Sequence, residues 1–246
     1  ALDDARDEDG MLVKQRRRKI AEWRIREPNG GGGPDSRFGS STGPRIELAF
    51  PSDVTRIAWH SKGDYLCVTT PGTGARCVSI HQLSKARSQC PFSKSPGMVQ
   101  DACFHPKLPF LFIATQQHVK VYHLIEQRLV KKLFSGAKWL SKLSVHPGGD
   151  HILAGSYDRR LLWFDLDMSS KPYKTLRFHE KAVRDVAFHP RYPLMASCAD
   201  DGAVHIFHAT VYDDLSRPPL IVPLKVLRGH GVVGGIGVTK VLFHPR

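Results

Sequence analysis

Short apolar runs punctuated by turn residues dominate this chain from about residue 50 onward. Phe110-Leu-Phe-Ile-Ala114, Ile152-Leu-Ala-Gly-Ser156, Leu161-Leu-Trp-Phe-Asp165, Leu194-Met-Ala-Ser-Cys198 and Val204-His-Ile-Phe207 are each strand-sized. They are rich in β-branched and aromatic side chains, and their alternation suits half-buried strands better than helices. The order of elements also recurs. His179-Glu-Lys-Ala-Val-Arg-Asp-Val-Ala-Phe-His-Pro190 leads into Leu194–Cys198, then Asp200-Asp-Gly202, then Val204–Phe207. This predicts strand, His-Pro turn, strand, Asp-Gly hairpin turn and strand, glycine supplying the positive φ of the tight turn. The preceding stretch, Val145-His-Pro-Gly-Gly149, Ile152–Ser156, Tyr157-Asp158 and Leu161–Asp165, reads the same way.

One phrase returns five times: Ile57-Ala-Trp-His60, Ala102-Cys-Phe-His-Pro106, Leu143-Ser-Val-His-Pro147, Val186-Ala-Phe-His-Pro190 and Val241-Leu-Phe-His-Pro245. Its histidines, His60, His105, His146, His189 and His244, stand 45, 41, 43 and 55 residues apart. A period of about 40–45 residues is that of a four-stranded propeller blade. The long interval contains Asp213-Asp-Leu-Ser-Arg-Pro-Pro219, which reads as an extended loop. The expected fold is therefore all-β, a β-propeller with about four complete blades and the start of a fifth.

Composition narrows the class further. The 246 residues are 41% hydrophobic and 24% charged, ordinary globular usage that excludes wholesale disorder. No apolar run approaches the roughly 20 residues of a membrane-spanning helix. The opening Ala-Leu-Asp-Asp is not a secretory signal, so the chain is expected to be soluble and intracellular. Five cysteines, none closer than ten residues to another, form no zinc-type pair and read as free thiols. Residues 1–46 differ from 47–246: an acidic stretch from Asp3 to Asp9, the basic run Lys14–Lys19, and the glycines Gly30–Gly33 before Pro34. This segment reads as flexible or loop-like, with Met11–Arg26 able to form a short basic helix anchored by Trp23 and Ile25.

Phe164-Asp165 occupies the place of a Trp-Asp dipeptide, and Gly229-His230 that of the Gly-His that opens a blade. With the spacing, these residues resemble a WD-repeat β-propeller, although Ile80-His81, Tyr122-His123 and Phe207-His208 depart from the acid. Longer phrases carry the resemblance further. They are Trp59-His60 with Gly63-Asp-Tyr-Leu66, Ile80-His-Gln-Leu-Ser84, Ser88-Gln-Cys-Pro-Phe92, Gly155-Ser-Tyr-Asp158, Trp163-Phe-Asp-Leu-Asp167, Ser170-Lys-Pro-Tyr173, Lys181-Ala-Val-Arg184, Val211-Tyr-Asp-Asp-Leu215 and Val222-Pro-Leu-Lys-Val-Leu227. Residues 50 to 246 are similar to the carboxy-terminal propeller of the block-of-proliferation family, ribosome-biogenesis proteins of the PeBoW complex. The resemblance implies seven blades in the full parent, so the chain is expected to be part of a propeller. It also implies a non-catalytic scaffold in maturation of the large (60S) subunit and 27S pre-rRNA processing. Its implied partners are a pescadillo-type protein, a second WD-repeat assembly factor and pre-ribosomal RNA, in the nucleus, nucleolus and nucleoplasm. No cofactor is implied. A generic WD-repeat adaptor, such as a ubiquitin-ligase substrate receptor or chromatin reader, is the alternative; Asp167 stands where such receptors usually carry an arginine.

Several constellations invite chemistry. WD-repeat families link a blade-opening His, a strand Ser and a turn Asp by buried hydrogen bonds, and His179, Ser197 and Asp201 match that pattern, as Phe164 and Asp165 match the dipeptide. The same trio resembles hydrolase residues, but no Gly-x-Ser-x-Gly elbow exposes a nucleophile. Ten of the 13 histidines follow the repeat, and no His-x-x-x-His pair suggests a metal. Gly229–Gly237 lacks the Lys-Ser/Thr ending of a phosphate loop.

Charge is the remaining signal. Lys+Arg number 36 against 23 Asp+Glu, a net +13 and a pI near 9.7, which favours an acidic partner such as nucleic acid or reflects a solvated surface. Between Lys120 and Tyr192 basic residues outnumber acidic ones two to one. Arg159, Arg160, Lys171, Lys174, Lys181, Arg184 and Arg191 are the candidate RNA-binding cations, expected to project from exposed loops rather than pair internally. Lys14–Lys19 reads as a nuclear-import signal, an RNA-tethering arm or a solvated helix.

Overall fold

A computed structural model describes residues 20–26, 45–92, 94, 96–212 and 219–244. The Lys14–Lys19 run, the Gly30–Gly33 stretch and residues 213–218 lie outside these. Contacts divide the chain into two units between Pro51 and Ser52.

In the first unit, β1 (Glu22–Arg26) pairs antiparallel with β2 (Arg45–Ala49). The expected basic helix is therefore corrected over its described part. Glu22-Trp-Arg-Ile-Arg26 alternates with a period of two, as a strand does. Trp23 stands opposite Leu48 and Arg24 opposite Glu47, so backbone groups pair across the chain instead of along it.

The second unit consists of four four-stranded antiparallel sheets in chain order. The first holds β3 (Arg56–Trp59), β4 (Tyr65–Thr69), β5 (Val78–Gln82) and β6 (Arg87–Gln89). The second holds β7 (Val99–Phe104), β8 (Phe110–Thr115), β9 (His118–His123) and β10 (Arg128–Phe134). The third holds β11 (Leu140–Val145), β12 (His151–Ser156), β13 (Leu161–Asp165) and β14 (Lys174–Leu176). The fourth holds β15 (Val183–Phe188), β16 (Leu194–Ala199), β17 (Val204–Thr210) and β18 (Leu220–Leu227). Each is a meander of propeller-blade type.

Core side chains sit between successive sheets. Cys67, Val78 and Ile80 meet Ala102, Leu111 and Ile113. Phe112, Val119 and Leu133 meet Leu140, Ile152 and Phe164. Leu153, Leu161 and Trp163 meet Val183, Met195 and Phe207. The third sheet thus buries both faces, and β12 and β13 are buried along their whole lengths. This explains why those strands read as continuous apolar runs rather than strict alternation. Gly155 belongs to the same seam: a Cβ there would lie 2.9 Å from Ser141 Oγ and 3.0 Å from Val183.

A register shift recurs near the start of three first strands, between Val99 and Asp101, Leu140 and Lys142, and Val183 and Asp185. Beyond β18, Val238–Phe243 forms no strand. It lies along the fourth sheet, where the Val238 N–H donates to the Ala199 carbonyl at 3.0 Å. Large apolar side chains of the two end sheets remain exposed, Trp59 on β3 by 60% and Leu224 on β18 by 55%.

Candidate functional site

In each sheet the chain reverses four residues or so after the repeated aromatic–His phrase, and the histidine shapes that turn. His60 Nδ1 accepts the N–H of Lys62 at 3.1 Å, and His146 Nδ1 that of Gly148 at 3.1 Å. His105 Nδ1 accepts from Lys107 at 3.0 Å and Leu108 at 2.9 Å; His189 Nδ1 accepts from Arg191 and Tyr192, both at 3.0 Å. An acceptor Nδ1 requires the neutral ring with its proton on Nε2. Burial favours that state, pushing His60, His105 and His146 below their ordinary value. The repeat thus marks turn caps, a role comparable to that of Asn or Asp side chains in Asx turns.

A second polar set crosses the fourth sheet. His179 Nε2 lies 2.8 Å from Ser197 Oγ, and Nδ1 lies 3.0 Å from Asp201. Asp201 also accepts the N–H groups of Glu180 and Ala203, each at 3.0 Å. Burial pushes the Asp201 carboxyl up, but the N–H donors of Ala203 and Glu180 and the His179 bond outweigh it and hold it low. Burial lowers His179 despite the Asp201 carboxylate. Ser197 is 1% exposed, so its hydroxyl is closed to solvent and the trio locks the β14–β15 link to the β16–β17 turn.

The third sheet solves the same problem differently. Its turn acid, Asp158, finds Gly136 where the fourth sheet has His179. Arg160 fills the gap: its guanidinium lies 3.1 Å from Asp158 and donates to the Gly136 carbonyl at 3.2 Å, while Ser156 Oγ bonds Asp158 from within the sheet. Phe164 is fully buried in the seam with the second sheet. Asp165 Oδ1 accepts the N–H groups of Asp167 at 2.9 Å and Met168 at 3.2 Å, capping the β13–β14 turn. His81, at the corresponding place in the first sheet, bonds Ser79 and Ser88, both at 2.8 Å, and burial lowers it to about 4.

The seven candidate cations divide. Because the sheets are meanders, first-to-second and third-to-fourth turns share one face, and second-to-third turns and sheet-to-sheet links share the other. Lys171, between β13 and β14, Lys174, at the start of β14, and Arg191, between β15 and β16, fall on the first face. Arg159, Arg160, Lys181 and Arg184 fall on the second. Two do not project freely, correcting the expectation that all would. Arg160 is bound as described, and Arg184 forks onto Asp200 (2.7 and 2.8 Å) and lies over the Tyr157 ring at 5.3 Å. A turn carboxylate within reach attracts a guanidinium before solvent or a ligand does. Lys174 reaches the Pro219 carbonyl at 3.5 Å, whereas Arg159, Lys171, Lys181 and Arg191 are exposed. Lys138, next to Trp139 in the β10–β11 link, is a further exposed cation of the second face.

Among the described residues no three His, Cys, Asp or Glu side chains gather as a metal site, and all five cysteines are free. No helix there is long and apolar enough to cross a membrane.

The WD domain, G-beta repeat family matches residues 128–165 and 170–208. Each match runs from the outer strand of one sheet through three strands of the next, so the sequence repeat is offset by one strand from the structural sheet. The chain is 55% identical over 199 residues to the ribosome biogenesis protein erb1 of Schizosaccharomyces pombe, covering 81% of this chain and 27% of that protein. It is 53% identical over 203 residues to ribosome biogenesis protein BOP1 of Rattus norvegicus (82% and 28%) and 53% identical over 201 residues to ribosome biogenesis protein ERB1 of Saccharomyces cerevisiae (82% and 25%). The chain therefore spans about a quarter of the length of these curated relatives. With the repeat phrases occupying equivalent turns on successive sheets, the chain carries WD repeats and matches the ribosome biogenesis proteins BOP1 and Erb1 over about four-fifths of its own length.

Proposed function

We propose that the chain is the propeller part of a non-catalytic scaffold that acts in ribosome biogenesis, docking assembly factors and pre-ribosomal RNA as the large subunit matures. The observation that carries this reading is the identity above 50% to several proteins named for ribosome biogenesis, extending over four-fifths of this chain. The polar chemistry fits a scaffold: the histidines, serines and acids that could have formed a reactive centre cap turns and lock sheet edges. Rigid sheets hold loops on two faces, and exposed cations on those loops suit phosphate. A pescadillo-type protein and a second WD-repeat factor are the protein partners of this reading, in the nucleolus and nucleoplasm.

Affinity purification of the intact protein, read by mass spectrometry and RNA sequencing, tests it. Large-subunit precursors and assembly factors are the expected co-isolates. Recovery of ubiquitin-ligase or chromatin subunits without pre-ribosomal particles would replace it with an adaptor role.

A further inference from the structure

Trp139 is 43% exposed although both sheets that flank it are present. It sits in the β10–β11 link, on the face that carries Arg159 and Lys181. Its position is tightly defined: the Tyr157 N–H donates to the Trp139 carbonyl at 2.9 Å, and the Tyr157 ring meets the indole edge-on at 6.4 Å. Tyr157 is held in turn, with Arg184 over its ring and Asp200 fixing Arg184. An exposed indole steadied by its neighbours has little conformational freedom left to lose on binding.

Charge around it is one-sided. Lys138, Arg159 and Lys181 are exposed and bond no described residue. The acids of the same links and turns are engaged: Asp158 with Arg160, Asp200 with Arg184, Asp201 with His179; only Glu180 is exposed. Arg159 moreover adopts φ 69°, in the left-handed region where the equivalent turn residue of the fourth sheet is Gly202 at φ 75°. A large cation is thus kept where glycine would be less strained.

We infer that this face binds single-stranded RNA, an unpaired base stacking on Trp139 while Lys138, Arg159 and Lys181 hold the flanking phosphates. The inference rests on the RNA contact of the proposed function and specifies its site and strand form. An aromatic face with free cations beside it is how sequence-tolerant single-strand binding is built, because every base offers a π-face and a duplex hides it. The bulky Trp, the three free cations and the shortage of free carboxylate favour RNA over a protein surface.

The intact protein is titrated with an unstructured single-stranded RNA and with a duplex of equal length. Trp139→Ala should weaken single-strand binding about ten-fold and leave duplex binding within about two-fold. Trp139→Leu, which retains apolar bulk without the ring face, should behave as Ala, and Trp139→Phe should restore most of the affinity. Replacing Lys138, Arg159 and Lys181 by Gln should weaken both and flatten the salt dependence by about 0.7 for each phosphate no longer neutralised. Unchanged single-strand affinity in Trp139→Leu, with the unaltered protein binding normally, overturns this site alone. So does loss of a protein partner, with RNA binding intact, in the same variant. Failure of the unaltered protein to bind either RNA at low salt overturns the RNA contact itself.

Discussion

The Asp101 carboxylate on β7 accepts the backbone N–H of Leu143 on β11 at 2.9 Å, so an acid of one sheet caps the first strand of the next. Lys142 Nζ completes the contact at 2.8 Å from the other oxygen. Asp185 on β15 repeats the arrangement with the Val241 N–H at 3.1 Å and Lys240 at 3.2 Å. Every second seam is thus joined by a buried carboxylate; between them, the Phe188 N–H donates to Ser144 Oγ at 3.1 Å. Burial raises the Asp101 carboxyl, against the pull of Lys142.

Removing that acid should be costly. Asp101→Ala strands a largely buried ammonium and an unpaired N–H, and is expected to destabilise by about 3–5 kcal/mol in urea unfolding. Asp101→Asn keeps an acceptor for Leu143 and should lose less. Equal losses in the two would show that the N–H contact contributes nothing.

Phe164→Ala should cost about 3–5 kcal/mol, because it opens a cavity between the second and third sheets where the ring is wholly buried. Thermal unfolding at an unchanged midpoint would contradict the seam.

Acid should destabilise the fold. Burial lowers His60, His81, His105, His118, His146, His151, His179 and His205 below the ordinary 6.5. Unfolding frees them to take up protons near 6.5, so the unfolded chain binds more protons and stability falls as pH drops from about 6.5 toward 4. His81 alone, lowered to about 4, contributes on the order of 3 kcal/mol across that window. Urea midpoints should hold from pH 7.5 to about 6.5 and decline from there to 4.5; a profile flat throughout would mean that these rings ionise freely in the fold.

Arg159→Gly should stabilise by about 1 kcal/mol, since it relieves a left-handed arginine at an exposed turn. The same substitution removes one phosphate-holding cation. A rise in melting temperature together with weaker RNA binding is the expected signature; a fall in melting temperature would show that the side chain supports the turn.

Much of this architecture was legible in the residues. Short apolar runs, Asp-Gly turns and a histidine returning every 40-odd residues mark four strands per unit, because strand length and turn chemistry are local properties. Ser197 and Asp201 could be paired with His179 because the three match the pattern that the resemblance to WD-repeat families implies. The basic helix at Met11–Arg26 misread Glu22–Arg26, whose pairing with Arg45–Ala49 depends on a partner some twenty residues away. The seven cations were a subtler case. Their sequence positions show neither which face each turn reaches nor that Asp158 and Asp200 stand within reach of Arg160 and Arg184.

By itself, the sequence determined the kind of most elements and their period, since backbone propensity, turn residues and repeat spacing act over a few neighbours. The tertiary structure alone decided which charges remain free, which acids join successive sheets, and that Trp139 stands exposed beside Tyr157. Those outcomes depend on distances between residues remote in the chain, and such distances are set only once the sheets have packed.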